Sequence, residues 1–141
     1  MIKRNIFSIL VALIILYLSL ANSHTFDKVS SIIDFPNIDK VVHFGMYFSL
    51  MMVLVFENRK IIKGFRNLFI IGLIPFSYGI LMEILQATLT VTRTGSVFDA
   101  LANGAGILVS IFLWLLIKPL KKEILLLAFW NTLQNPRKLR L

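Results

Sequence analysis

Four apolar runs, each close to the length that crosses a bilayer as a helix, dominate this chain: residues 6–22, 41–56, 68–91 and 100–117. They are 16–24 residues long, close to the roughly 20 residues that cover a ~30 Å hydrocarbon core at 1.5 Å per residue. A spanning segment must satisfy its own backbone hydrogen bonds. Helices do so, whereas a closed barrel would show alternating strands of about ten residues, and the sequence has none. The expected fold is therefore all-α, an integral membrane bundle of four transmembrane helices in residues 1–120. The second run is marginal by itself and is expected to extend back through Asp39 and Lys40.

Composition supports lipid as the solvent. The chain of 141 residues is 57% hydrophobic, with mean hydropathy +0.82 and 16% charged residues, against about 25% charged in an ordinary soluble domain. The net charge of +8 does not indicate nucleic acid, because the apolar runs leave no soluble basic face. With no cysteine, disulfides, thiolate metal sites, iron–sulfur ligation and cysteine nucleophiles are excluded together.

The first run has a second reading. Lys3-Arg4, an apolar stretch and then Leu20-Ala21-Asn22-Ser23 have the order of a secretory signal with a small-residue cleavage zone. The run is long for a signal's hydrophobic region, and the remainder of the chain is itself apolar enough for a membrane. An uncleaved helix is therefore expected.

Charge sets the orientation. Two Lys or Arg precede the first run, four (Arg59, Lys60, Lys63, Arg66) lie between the second and third, and six follow the fourth. On the other side stand Lys28, Lys40 and Arg93. By the positive-inside rule both termini are expected in the cytoplasm. The tail, residues 121–141, is too short to span. Its apolar stretch Ile124–Trp130 between basic clusters predicts a short interfacial helix on the cytoplasmic leaflet. No internal repeat supports a transporter of inverted halves.

Ionisable groups inside such helices cost about 2.5–3.5 kcal/mol at mid-helix on insertion scales, which makes them functional candidates. Lys40, His43 and Tyr47 share one face of the second run, and Asp39 reaches His43 one turn away. In the third run Gly79, Glu83 and Gln86 share a face, with Glu83 roughly 10 Å below its end. Arg93 lies in the next connector; Asp99 opens the fourth run, followed by Asn103 and Gly106. Three runs thus place polar stripes at one depth near the extracytoplasmic face, which points to a single cluster.

Each residue has a plainer role open to it. Gln86 and Asn103 serve equally as interhelical hydrogen-bonding groups, and Asp99 as an N-terminal cap. Lys40 can snorkel outward, Tyr47 can be lining, and Arg93 can pair with Asp99 or a lipid phosphate. His43 and Glu83 are the candidate acid and base. Gly72, Gly79, Gly104, Gly106 and Ser110 permit close helix approach, and Pro75 removes one backbone bond from the third helix. Asp39, His43, Glu83 and Asp99 offer metal ligands on paper, but H-x-x-x-H and H-E-x-x-H spacings are missing, so no metal or other cofactor is expected. Nucleophile-elbow, P-loop and dinucleotide fingerprints are missing too.

Asp39-Lys40-Val41-Val42-His43-Phe44-Gly45-Met46-Tyr47 resembles the first signature of the VanZ-like family, D-K-x-x-H-x-x-x-Y. Gly79, Glu83, Gln86, Arg93, Asp99, Asn103 and Gly106 resemble its second block in order and spacing. The resemblance covers about residues 39–118. Two departures stand out: Thr90-Val91-Thr92 precedes Arg93 where the family often has Pro-Gly, and Gly104 and Ser110 replace a common Thr and a frequent Gly.

The resemblance implies a multi-pass protein of a bacterial cell membrane, from a family named for a teicoplanin-resistance factor and associated with glycopeptide or lipoglycopeptide resistance. It does not imply a settled mechanism. Joined to the residue pattern, it gives three expectations. One is binding or remodelling of an amphiphilic envelope molecule, with a membrane lipid or lipid-linked precursor as partner and Lys40 and Arg93 rimming an anionic head group. Another is a membrane-embedded acid/base enzyme acting on such a molecule. A small transporter is the third, and it would want charges through the full depth of the helices. An envelope protein is a further expected partner.

Overall fold

In the computed structural model, residues 4–20, 37–89 and 96–134 are described, with side chains as far as 117. Four helices are present among them: α1 (Ile6–Leu20), α2 (Ile38–Asn58), α3 (Phe65–Leu89) and α4 (Val97–Gln134). The all-α class follows the apolar runs, and three helices are long and apolar enough to cross a membrane: α2, α3 and Val97–Ile117 of α4. Only 28–33% of each of these spans is buried. Large apolar side chains such as Phe69, Ile74, Ile84, Leu101 and Leu108 face outward instead. An aqueous protein would not tolerate so wide an apolar surface; hydrocarbon requires it. The shorter α1 has 15 described residues.

Helix ends differ from the apolar runs for local reasons. α2 begins three residues before its run, after Asn37 in the left-handed conformation (φ 64°), which asparagine tolerates better than most residues. At its other end α2 takes in Glu57 and Asn58, because both have partners on α1 or just before it. α4 begins at Val97, with the Ser96 Oγ accepting from the Phe98 N–H at 3.2 Å as its cap. Asp99, expected as that cap, lies three positions further on, within the first turn.

At the far end the candidate span, Val97–Ile117, ends where the apolar run does. The helix itself continues without a break through Pro119 to Gln134, where the sequence predicts a separate short helix. Proline removes one bond and crowds the preceding turn, a defect that a membrane helix absorbs. The Lys, Glu, Leu and Ala residues beyond it are strong helix formers. Residues 112–141 belong to a second compact unit, distinct from residues 1–111.

Within the first unit α1 packs on α2 and α3, and α2 on α3. Tyr47, Leu50, Met51, Leu54 and Val55 of α2 are buried, as are Leu68 and Met82 of α3, Ile15 of α1 and Ile107 of α4. α4 approaches through small residues. A Cβ on Gly106 would overlap the Phe44 carbonyl oxygen and lie 2.9 Å from the Phe48 nitrogen, and one on Gly72 would lie 3.3 Å from Ile111 Cδ1. Pro75 is buried within α3, which stays helical around it.

Candidate functional site

The chain direction alternates, so the C-terminal ends of α1 and α3 lie with the N-terminal ends of α2 and α4. At this end three helices bring polar side chains into contact. His43 of α2 and Asn103 of α4 are both 2% exposed, and His43 Nδ1 lies 3.1 Å from Asn103 Oδ1. The Asn103 Nδ2 donates to Glu83 Oε1 of α3 at 3.1 Å. Glu83 Oε1 is also 3.4 Å from His43 Nδ1, and Glu83 Oε2 accepts from the Ser96 N–H at 3.2 Å.

This arrangement favours one tautomer. With Asn103 Nδ2 committed to a carboxylate, its Oδ1 is left to face His43, and an oxygen there needs a proton on Nδ1. Reversing the amide would set Oδ1 against the Glu83 carboxylate. With the amide in this orientation, a neutral ring would carry its hydrogen on Nδ1 and its lone pair on Nε2. Asp39 Oδ1 lies 3.9 Å from Nε2.

Asp39, His43 and Asp99 each place one ligand-capable atom within 4.8 Å of the others. Among the described residues this set has the donors that a divalent cation uses. These are three of the four donors that the sequence offers on paper, drawn from two helices.

The remaining expected residues divide. Tyr47 is fully buried, its ring beneath Gly79 (3.1 Å from a Cβ built there) and tilted against Tyr78 at 6.4 Å. Its hydroxyl has no hydrogen-bond partner among the described residues. Gln86 is buried, but its Nε2 donates to the Ser19 carbonyl of α1 at 2.9 Å, so it joins helices rather than facing His43. The Lys40 ammonium donates to Asn37 Oδ1 at 3.1 Å, a local contact at the helix start. Asp99 is buried. Arg93 lies outside the described residues.

Glu83 has a structural duty as well. In a capping box the N-cap amide is met by an acid in the same first turn; here the Ser96 amide is met by Glu83 from the preceding helix. One carboxylate thereby fixes where α4 starts and how Asn103 is turned towards His43.

The opposite end holds a network that the sequence pattern does not reveal. Glu57 near the end of α2 accepts from the backbone N–H groups of Phe7 (2.9 Å) and Ser8 (3.1 Å) and from the Ser8 hydroxyl. It thus caps the N-terminus of α1 from another helix. Asn58 donates to Asn5 Oδ1 at 3.1 Å and to the Leu54 carbonyl at 2.9 Å. Midway, the Tyr78 hydroxyl donates to the Ala12 carbonyl at 2.7 Å. The sequence signal for this network is slight: a carboxylate and an amide just past an apolar run.

The VanZ/LLP1 family model matches residues 4–118. The match takes in α1, which the resemblance over residues 39–118 leaves outside. Comparison with curated proteins and with solved structures brings no match.

Proposed function

The chain belongs to the VanZ/LLP1 family, and from that premise we propose that it binds or remodels an amphiphilic molecule of the cell envelope at the His43 end of its helices. The observation that carries this reading is the meeting of His43, Glu83 and Asn103 from three helices. Bundle packing alone does not require a carboxylate and an imidazole in hydrocarbon. Asp39, with 44% of its side chain exposed, leaves the cluster accessible from one side.

A head group with both anionic and hydroxyl or amide functions suits the set. Lys40 and Arg93 offer charge to a phosphate, while Asp39 and Asp99 accept from donors. The positive-inside pattern of the connectors supports placing this end in the outer leaflet of a bacterial cell membrane, where lipid-linked envelope precursors and lipoglycopeptides are met. A link to teicoplanin resistance follows if such a molecule is the ligand, and an envelope protein is the natural partner for handing it on.

The test is lipid extraction and native mass spectrometry of the purified full chain, beside His43→Ala and Arg93→Ala. A molecule enriched with wild type and lost from both variants supports the reading. Identical lipid profiles for all three proteins would sink it. Expression in a susceptible bacterium, with and without Arg93→Ala, then reads teicoplanin tolerance directly.

An acid/base enzyme is a second reading, favoured by the 3.4 Å approach of His43 Nδ1 to Glu83 Oε1. It is distinguished by Glu83→Gln: an enzyme keeps its bound molecule and loses turnover, whereas a binding protein shows no turnover to lose. The transporter reading gains nothing from Glu57, the carboxylate at the other end, because it is engaged in capping α1.

A further inference from the structure

At the end of the bundle opposite His43, a cavity of about 360 Å³ opens between α1, α2 and α3. Ile9, Ala12, Leu50, Leu54, Ile74 and Pro75 line it. Its size is that of a ligand pocket (about 300–1,000 Å³). Two of the lining residues, Ile9 and Ile74, are 42% and 58% exposed, so the cavity is a groove in the lipid-facing wall.

The polar groups at its margin are already engaged. The Ser8 hydroxyl donates to Glu57, Asn5 Oδ1 accepts from Asn58, and the Tyr78 hydroxyl donates to Ala12. Water needs two to four polar partners to occupy a cavity and finds few here. Hydrocarbon fits the groove instead.

Charge decides which hydrocarbon. Arg4, Arg59, Lys60, Lys63 and Arg66 are all exposed at this end, whereas at the His43 end Lys40 is the basic side chain among the described residues. The carboxylate beside them, Glu57, is turned onto α1. Asn5, next to Arg4, lines the groove and accepts from Asn58, the residue before Arg59, so these basic residues stand next to the polar end of the groove. An apolar groove by itself gives no preference in a membrane, since lipid tails solvate it equally well. Shape and charge together do.

We propose that this groove is a binding site for one acyl chain of an anionic phospholipid, whose phosphate is held by Arg4, Arg59 and Lys60. The site goes beyond the envelope-ligand reading, uses none of its residues and lies at the other end of the helices. Failure of one therefore leaves the other standing.

The experiment is native mass spectrometry of the full chain in detergent, titrated separately with a phosphatidylglycerol and a phosphatidylcholine of the same acyl chains. One phosphatidylglycerol per chain is expected, retained at least about tenfold better than phosphatidylcholine. Each neutralised cation should cost roughly fivefold, so the Arg59→Gln, Lys60→Gln double variant should lose most of the preference while phosphatidylcholine retention stays as it was. Ala12→Phe fills the groove from α1 and should abolish the stoichiometric lipid with all cations in place; Ile74→Trp, at an exposed position on the opposite wall, repeats that test without disturbing α1. Equal retention of the two lipids by wild type would overturn the proposal. So would an undiminished preference in Ile74→Trp, because the attraction would then be that of a basic surface without a groove.

Discussion

Gly106 of α4 lies against the backbone of α2 at Phe44, so closely that its missing Cβ would overlap the Phe44 carbonyl oxygen and approach the Phe48 nitrogen to 2.9 Å. Neither neighbour is the free end of a side chain, so neither can yield without moving a helix. This contact is one turn from Asn103 and holds the Asn103–His43 pair at bonding distance. Gly106→Ala should therefore destabilise the protein by about 1–3 kcal/mol, as overpacking does. Gly45→Ala, with nothing within 4 Å of its Cβ, should be neutral or stabilising by up to about 1 kcal/mol. Unfolding in mild detergent compares the two; equal effects would mean that α2 and α4 are not in backbone contact.

The tautomer deduced for His43 is directly measurable. The chain has two histidines, so His24→Gln leaves one resonance to assign. Nitrogen NMR of that variant, at a pH where the ring is neutral, should show a protonated Nδ1 and an unprotonated Nε2. Asn103→Leu removes the acceptor at 3.1 Å and should shift the tautomer populations. A protonated Nε2 in the neutral ring would reverse the orientation of Asn103 and turn the lone pair away from Asp39.

Much of this is legible in the sequence because membrane helices carry long, simple signals. The apolar runs mark the four helices, and the recurrence of His43, Glu83 and Asn103 at one depth marks their meeting. Partner choice is not legible. Gln86 has the same spacing from Glu83 whether it faces His43 or α1, and only the packing of α1 shows that it bonds to Ser19. Lys40 reads as a rim cation, and the Asn37 oxygen that its ammonium meets at the helix start is no part of that pattern. Glu57 is hidden for a different reason: its donors are mainly backbone amides of α1, which leave no mark in side-chain patterns. The continuation of α4 past Pro119 is hard to read because proline signals a stop, while the helix formers beyond it read as a separate element.

Glu57 as a cap supplied across helices predicts a local effect. Its carboxylate meets two backbone N–H groups and one hydroxyl in the first turn of α1. Glu57→Ala should cost about 0.5–2 kcal/mol, the range for losing an N-cap. It should also raise hydrogen exchange at the Phe7 and Ser8 amides far more than at the amides near Ser19. Glu57→Gln keeps an acceptor but loses the charge that complements the helix dipole, and should fall between. Uniform exchange along α1 in the alanine variant would show that the helix is held by its apolar face alone.

Asp39 and Glu83 separate structure from function within the cluster. Glu83 accepts from Ser96 and Asn103, so Glu83→Ala should leave two donors without their acceptor and cost about 1–3 kcal/mol or more. Asp39, half exposed at the start of α2 with its Oδ1 3.9 Å from His43 Nε2, lies at the accessible edge. Asp39→Asn should stay within about 0.5 kcal/mol of wild type, as surface substitutions do. If the cluster is the ligand site, the asparagine variant should nevertheless lose the co-purifying envelope molecule. Thermal unfolding and lipid extraction on the same samples decide it. Loss of ligand at unchanged stability assigns Asp39 to binding, whereas a matching fall in stability with retained ligand makes the His43 end a structural joint and removes the basis for a site there.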